Sequence, residues 1–400
     1  MEYLSIFYMA IETLLTVFGL YWGIIIVAGF LHNTGNKNAG LAGNTEIPFS
    51  VIIPAKNEEK TLGRLLERLT RVNYPKDKLE IIVVEDGSTD STPEIAGWYS
   101  REFSNVKYYH LEKNRGGKAA ALNYGVNASH GSIIAFFDAD ALPELDYFRK
   151  AVKGYLEGKE VQNGFYRFIN TRESWLPTIS SLEAEVAKYI ARGSERLGLP
   201  VPIFGYNLII SRRVLDEVGS FKKSLTEDID LWVRLVKAKI KPHYFDGEVL
   251  IESPSSVKDF VNQRIRWYRG FLDTITLYKL NFSSKNELHV WLYLTMPLFA
   301  AISFTMYLVA PTAIMLSHHL YGLLMLGGVT SNIVGMSLGA AIYLYYVYRD
   351  KSVSFKGPLS VVYTFALLYS SFLALVSKIF KTNISWNVTK KTGYMDVKKL

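Results

Sequence analysis

IIAFFDAD, residues Ile133 to Asp140, is an apolar run that ends in two carboxylates one position apart. Bounded by His130-Gly131 before it and Leu142-Pro143 after it, the run predicts a buried strand. Open α/β sheets bind ligands beyond the C-terminal ends of their strands. Asp138 and Asp140 are therefore expected at the rim of a cleft. Two neighbouring carboxylates repel unless a positive charge lies between them. A hard divalent cation meets that need, because Mg2+ is held by one or two carboxylates together with substrate phosphates. The plainer alternative is a solvated acidic turn, and the flanking sequence bears on the choice.

Upstream, short apolar segments alternate with helical ones. Phe49–Pro54 (FSVIIP) predicts a strand, followed by Lys56-Asn57-Glu58-Glu59 and an amphipathic helix with Leu62, Leu65, Leu66 and Leu69 on one face. Leu79–Val84 is a second strand, running into Glu85-Asp86-Gly87-Ser88-Thr89-Asp90, and Ser91–Ser100 is helical. Val106–Leu111 is a third strand before Asn114-Arg115-Gly116-Gly117-Lys118, and Ala119–Ala128 is a good helix former. Such alternation predicts an α/β fold with a largely parallel sheet between helices. Three strand ends then carry the polar clusters Asn57-Glu58, Glu85-Asp86 and Asp138/Asp140, as a nucleotide crevice requires. NRGGK lacks the spacing and the Ser/Thr of a Walker loop. Lys118 at a helix start is still placed for a phosphate, although the segment could serve only as a turn.

Downstream the order changes. Phe165–Asn170 alternates weakly, Glu173–Arg196 is helical, and Pro200-Val201-Pro202 leads into IFGYNLIISRRVL. Leu225-Thr226-Glu227-Asp228-Ile229-Asp230 opens another helix, where Thr and carboxylates can act as first-turn capping groups. Val257–Leu280 contains Gln263-Arg264-Ile265-Arg266-Trp267. Its apolar positions are helically spaced, and Lys258, Arg264, Arg266 and Arg269 supply charge, a pattern suited to a membrane surface.

The 400 residues are 49% hydrophobic and 14% aromatic, and the mean hydropathy is positive. Tyr3–Leu31, Leu288–Leu316, Leu320–Tyr348 and Pro358–Val376 are apolar enough to span a bilayer. Tyr3–Leu31 lacks the basic start of a secretory signal. Pro297 and Pro311 predict kinks, and His318-His319 fall in a turn. The division expected is 1–43 helix and linker, 44–255 catalytic domain, 256–286 interface helix, 287–380 membrane helices and 381–400 basic tail. The basic flanks of the soluble region place it in the cytoplasm of a multi-pass cell-membrane protein. The tail poses a conflict: three later crossings put it outside, whereas Lys378, Lys381, Lys390, Lys391, Lys398 and Lys399 argue for inside. A net charge of +8 suits nucleic acid, anionic lipid or a phosphate-bearing substrate. No RNP, zinc-finger or basic-repeat pattern supports nucleic acid. With no cysteine, disulfides and thiolate chemistry are excluded.

IIPAKNEE, VVEDGSTD, GGKAAALNYG, FFDADALP, FGYNLIISRRVL, LTEDID and QRIRW occur in this order. Together they resemble the membrane-embedded inverting glycosyltransferases of family 2, the group that holds cellulose, chitin and hyaluronan synthases. The resemblance covers roughly residues 48–270. It implies a GT-A catalytic domain beside α-helical transmembrane segments, a nucleotide-diphosphate sugar donor with a UDP-sugar expected, and Mg2+ or Mn2+. By the same resemblance Ala55, Glu58 and Asp86 hold the nucleoside, with Lys118 nearby and Asp138 shared with the metal. Asp140 is the implied metal ligand and Asp228 the catalytic base, with Glu227 beside it. Gln263, Arg266 and Trp267 sit over the diphosphate and acceptor. Glu85 stands where the family more often has Asp, and FGYN differs from the acceptor motif of the best-known polymer synthases. Three readings are open: extension of a polysaccharide, with passage across the membrane; transfer of one sugar to a lipid or polyprenyl acceptor; and a non-catalytic nucleotide-binding membrane scaffold.

Overall fold

The computed structural model describes residues 2–32, 46–112, 117–316, 356–384 and 391–394, with backbone alone at 2–9, 12, 307 and 309–316. The expected linker, most of NRGGK, the His318-His319 turn and the Leu320–Tyr348 span lie outside the described residues.

Helix α1 (Glu2–Phe30) precedes an alternating unit: β1 (Phe49–Ala55), α2 (Leu62–Thr70), β2 (Leu79–Glu85), α3 (Thr92–Glu102), β3 (Val106–His110), α4 (Lys118–Ala128) and β4 (Ile133–Phe136). These strands lie side by side in parallel as β3-β2-β1-β4, with Ile52 facing Ile82 on one side and Phe136 on the other. Val51, Ile52, Ile53, Ile81, Ile82 and Val83 are all fully buried. Helices cover both faces of the sheet, which is why these strands are continuously apolar rather than alternating. The buried face of α2 is Leu62, Leu65, Leu66 and Leu69, as its spacing predicts.

The run IIAFFDAD is not strand throughout. β4 ends at Phe136, and Ala141 N donates to the Asp138 carbonyl at 2.9 Å in a turn. The two carboxylates therefore stand on a turn past the ladder, free to face the cleft.

The rest of the sheet is mixed. It adds β5 (Leu142–Pro143), α5 (Tyr147–Leu156), β6 (Val161–Phe168), α6 (Trp175–Arg196), β7 (Leu208–Ser211), α7 (Arg212–Val218), α8 (Glu227–Lys237) and β8 (His243–Ile251). β7 runs antiparallel to both β4 and β6, while β8 is parallel to β6 and antiparallel to the edge strand β5. Antiparallel neighbours need no crossover helix; the first four strands and the β6–β8 pair meet the largely parallel expectation, and the β4–β7, β6–β7 and β5–β8 pairs depart from it.

Among the described residues the helices that follow are α9 (Val257–Leu277), α10 (Lys285–Leu294), α11 (Met296–Leu316) and α12 (Leu359–Ile379). Thr13–Phe30 and Leu359–Ile379 are long and apolar enough to cross a membrane. α10 and α11 form a further candidate span bent by 43°, with the break just ahead of Pro297, where the sequence predicts a kink. α1 docks on α6 at two glycines: a Cβ on Gly29 would lie 1.9 Å from Tyr189 O, and one on Gly193 would lie 1.9 Å from Ile25 O. α12 runs beside α9 for its whole length. Tyr363 meets Phe260 at a ring distance of 4.9 Å near one end, and Lys378 Nζ meets Asp273 Oδ1 at 2.5 Å near the other.

Candidate active site

A cavity of about 420 Å3 opens beyond the ends of β1, β2 and β4. Ala55, Glu58, Asp86, Lys118, Asp138, Asp140, Glu227, Asp228, Gln263, Arg266 and Trp267 all line it. Spread over more than two hundred residues of sequence, these side chains are gathered by the strand ends, by the start of α8 and by α9.

The loops after β1 and β2 are buttoned together. Asn57, in the left-handed region at φ 55°, accepts from Thr89 N through Oδ1 at 2.8 Å. Its own N–H donates to Ser88 Oγ at 2.9 Å, and Glu58 N–H donates to Thr92 Oγ1 at 2.7 Å. Glu85, buried beneath them, accepts from the ring of His110 at 2.6 Å. Asp86 faces the cavity, with Oδ2 3.7 Å from Lys56 Nζ and Oδ1 buried without a partner. An unpaired buried carboxylate oxygen is costly unless a ligand supplies the donor.

Lys118 opens α4 and bridges two walls, 2.7 Å from Asp138 Oδ1 and 3.1 Å from Glu227 Oε1. Burial works against its charge, but Asp138, Glu227 and Asp228 outweigh it and lift its pKa above the ordinary lysine range. Asp140 Oδ2 accepts from Lys391 Nζ at 2.5 Å and from Glu252 N at 3.1 Å. Burial pushes the Asp140 carboxyl up, Lys391 more than offsets it, and the net shift is downward. Burial, then the charge of Asp140, raises the Glu58 carboxyl to about 7.

These residues fit a hard divalent cation. The donors are carboxylate oxygens, and an ammonium already stands at Asp140 as a positive counter-charge. Among the described residues no three His, Asp or Glu side chains converge on a metal-sized site. The protein would thus offer Asp138 and Asp140, and a bound diphosphate would complete the shell, as is usual for Mg2+.

Asp228 lies in the first turn of α8, where a capping role was the alternative. Thr226 Oγ1, the expected cap, makes no hydrogen bond. Asp228 instead turns towards the cavity, accepting from Gly205 N at 3.0 Å and Ile229 N at 2.9 Å. Burial first, and then the neighbouring Glu227, raise its carboxyl to about 6, against the opposing pull of Lys118. Gly205 belongs to FGYN, so that loop forms the wall facing Asp228.

Residues 50–219 match the sequence profile of glycosyl transferase family 2. The chain carries a family 2 glycosyltransferase domain. It is 31% identical over 277 residues to the probable glycosyltransferase YdaM of Bacillus subtilis, covering 66% of this chain and 66% of that protein. It is 27% identical over 264 residues to the β-monoglucosyldiacylglycerol synthase of Nostoc sp., covering 62% of this chain and 56% of that one. The chain thus spans less than two thirds of the length of these relatives. The mannosyltransferase PcManGT of Pyrobaculum calidifontis, solved with GDP-Man and Mn2+, has the same fold: TM-score 0.65 at 20% identity over 94% of this chain and 99% of that one.

The rest of the cavity wall is largely aromatic and aliphatic. Tyr166, Tyr206, Trp267 and Tyr268 line it, with Met296 and Ala300 of α11 and Leu367 of α12 beyond them. α9 contributes its arginines in a way its sequence did not foretell. Arg264, expected among the charges at a membrane surface, is 2% exposed and paired with Glu183 at 2.8 Å. Arg266 donates to Leu225 O at 3.2 Å and Arg269 to Asp273 at 3.0 Å. Lys391 was read from sequence only as part of a basic tail. Here it donates to Asp140, while Thr392 and Gly393 donate to Glu252 Oε1 at 2.7 and 3.0 Å and Arg64 closes the other oxygen at 3.0 Å. No periodicity or motif spacing marked Lys391, Glu252, Arg64 or Glu183. Residues 391–393 therefore lie against Asp140 and Glu252 of the domain.

Proposed function

We propose that this chain is a metal-dependent, inverting glycosyltransferase. It moves a sugar from a nucleotide-diphosphate donor to a hydroxyl of a membrane-held acceptor, either a growing polysaccharide or a lipid, at the cytoplasmic face. The observation that carries the reading is Asp228, a carboxylate that lines one cavity together with Lys118, Asp138 and Asp140 and with the aromatic rings of Tyr206 and Trp267.

In this reading Asp228 accepts the acceptor hydroxyl's proton as the oxygen attacks the anomeric carbon. The new glycosidic C–O bond forms while the C–O bond to the diphosphate breaks, and the bonding pair leaves with the diphosphate. Lys118 and Arg266 lie where that negative charge grows, in a partly dry site where such charges act strongly. Asp138 and Asp140 would hold a divalent cation, which supplies Lewis-acid stabilisation of the leaving group. Lys391 must share or exchange its place on Asp140 with that ion. Trp267, stacked 4.3 Å from the Arg264 guanidinium, offers a flat face to the acceptor.

The test uses the full chain reconstituted in nanodiscs with UDP- and GDP-sugars, with Mn2+ or with excess chelator. Transfer is expected in Mn2+ and lost in chelator, and Asp140→Asn should weaken Mn2+-supported nucleotide binding by about tenfold or more, since two charged contacts are lost. Full transfer in chelator would overturn the metal assignment. Product sizing separates polymer from single addition, and a protein that binds nucleotide without turnover would return the scaffold reading.

A further inference from the structure

Glu183, on α6, has no part in the chemistry above, yet it lines the same cavity. Its Oε2 accepts from Arg264 Nη2 at 2.8 Å and from the Tyr363 hydroxyl of α12. Its side chain is 32% exposed, against 2% for that of Arg264. The guanidinium lies behind the carboxylate, stacked over Phe260 at 4.7 Å and Trp267 at 4.3 Å. Two donors thus converge on one oxygen and fix the carboxylate facing inward. A buried ion pair is a poor source of stability, because desolvation offsets the attraction. Retaining one at a cavity wall is better explained by what the exposed part of the carboxylate does.

The charges around the cavity are unevenly placed. Lys118 is held by Asp138 and Glu227, Lys391 by Asp140, and Lys56 stands by Asp86, all at the donor end. The wall that carries Glu183 also presents tyrosine hydroxyls, and the cation nearest Glu183, Arg264, is spent on it. Carboxylates only accept hydrogen bonds. A phosphate beside Glu183 would meet its carboxylate, while Arg266, the other arginine of the wall, is directed to Leu225 O and to the charges of Glu227, Asp228 and Asp138. A hydroxyl-bearing group would find acceptors, with aromatic faces for its C–H surface.

Resting on the transferase reading, we infer that Glu183 is an acceptor-specificity residue. It receives hydrogen bonds from an uncharged, polyhydroxylated headgroup and excludes phosphate-bearing acceptors, while Met296, Ala300 and Leu367 contact the apolar part behind that headgroup. The headgroup chemistry is shared by a neutral glycerolipid and by the end of a glycan chain.

The full chain in nanodiscs, with whichever nucleotide sugar it uses, is offered a monohexosyl diacylglycerol, an alkyl-linked disaccharide or undecaprenyl phosphate at equal surface density. One of the first two should be used at least about tenfold better than the phosphate, and which one identifies the source. Glu183→Gln should raise the KM for that acceptor by about tenfold, the scale of one charged hydrogen bond, with nucleotide-diphosphate affinity unchanged. Because that variant leaves Arg264 buried and unpaired, Glu183→Gln with Arg264→Met is made as well; it should recover thermal stability but not the acceptor KM. Preference for undecaprenyl phosphate, or a normal acceptor KM in the folded double variant, overturns the inference and leaves the transferase reading standing. Absence of transfer from every nucleotide sugar removes the transferase reading, and the acceptor assignment falls with it.

Discussion

Asp228 decides more than any other side chain. An ordinary aspartate titrates near about 3.9, whereas burial and Glu227 raise this one to about 6. A general base works only when ionised, so transfer should rise with pH through an acid limb near that value and fall away below it. Asp228→Asn should remove at least the roughly 10²-fold contribution of a general base and leave nucleotide-diphosphate affinity unchanged, because Asp86 and Asp140 are untouched. Rate profiles and binding isotherms of the two proteins check this. A Glu227→Gln enzyme that lost the limb while Asp228→Asn kept it would move the base by one residue. Residues of this kind were legible because chemistry confines them to a few types at strand ends and helix starts. Lys391 and Glu183 were not, because a single Lys or Glu in a charged segment looks the same whether it faces a cleft or water.

Among the elements, α9 and α12 show where reading by composition stops. The amphipathic spacing of α9 predicted a helix at a membrane surface; the helix forms, but Arg264 points into protein because Glu183 waits there. α12 has the length and apolarity of a span. It nevertheless lies beside α9, which carries Lys258, Asp259, Arg264, Arg266, Arg269 and Asp273. Six charges along one helix are not tolerated in the hydrocarbon core, so a helix aligned with it should lie along the interface. Lys356, just before α12, reaches Thr178 of α6 at 3.2 Å and Lys378, at its end, reaches Asp273 of α9, so one end is tied to α6 and the other to α9. With no native cysteine in the chain, Pro358→Cys and Asn383→Cys give clean probes. Both should react with an impermeant maleimide from the same side of sealed vesicles, and labelling from opposite sides would establish a crossing.

At the scale of the molecule, the parallel half of the sheet was legible because both its faces are buried and its strands are uniformly apolar. The mixed half was not, since the alternation at Phe165–Asn170 is weak and the partners of β6 and β7 are set by contacts far along the chain. Nor does composition reveal how α1 meets the domain. The contact at Gly29 and Gly193 admits no side chain, so Gly193→Val should force the helices apart. Overpacking of that kind costs about 1–3 kcal/mol, readable as a Tm several degrees lower in detergent; an unchanged Tm would show that the two helices yield easily. The tail makes the longest connection. Asp140 meets its ammonium partner 251 residues later in the chain. At about 5–20 residues per second, a ribosome takes roughly 10–50 s to travel from one to the other. Through that interval the nascent domain holds a buried carboxylate beside a raised-pKa glutamate with no Lys391 to balance them, so the site acquires its full complement of charges only after nearly all of these residues have been made.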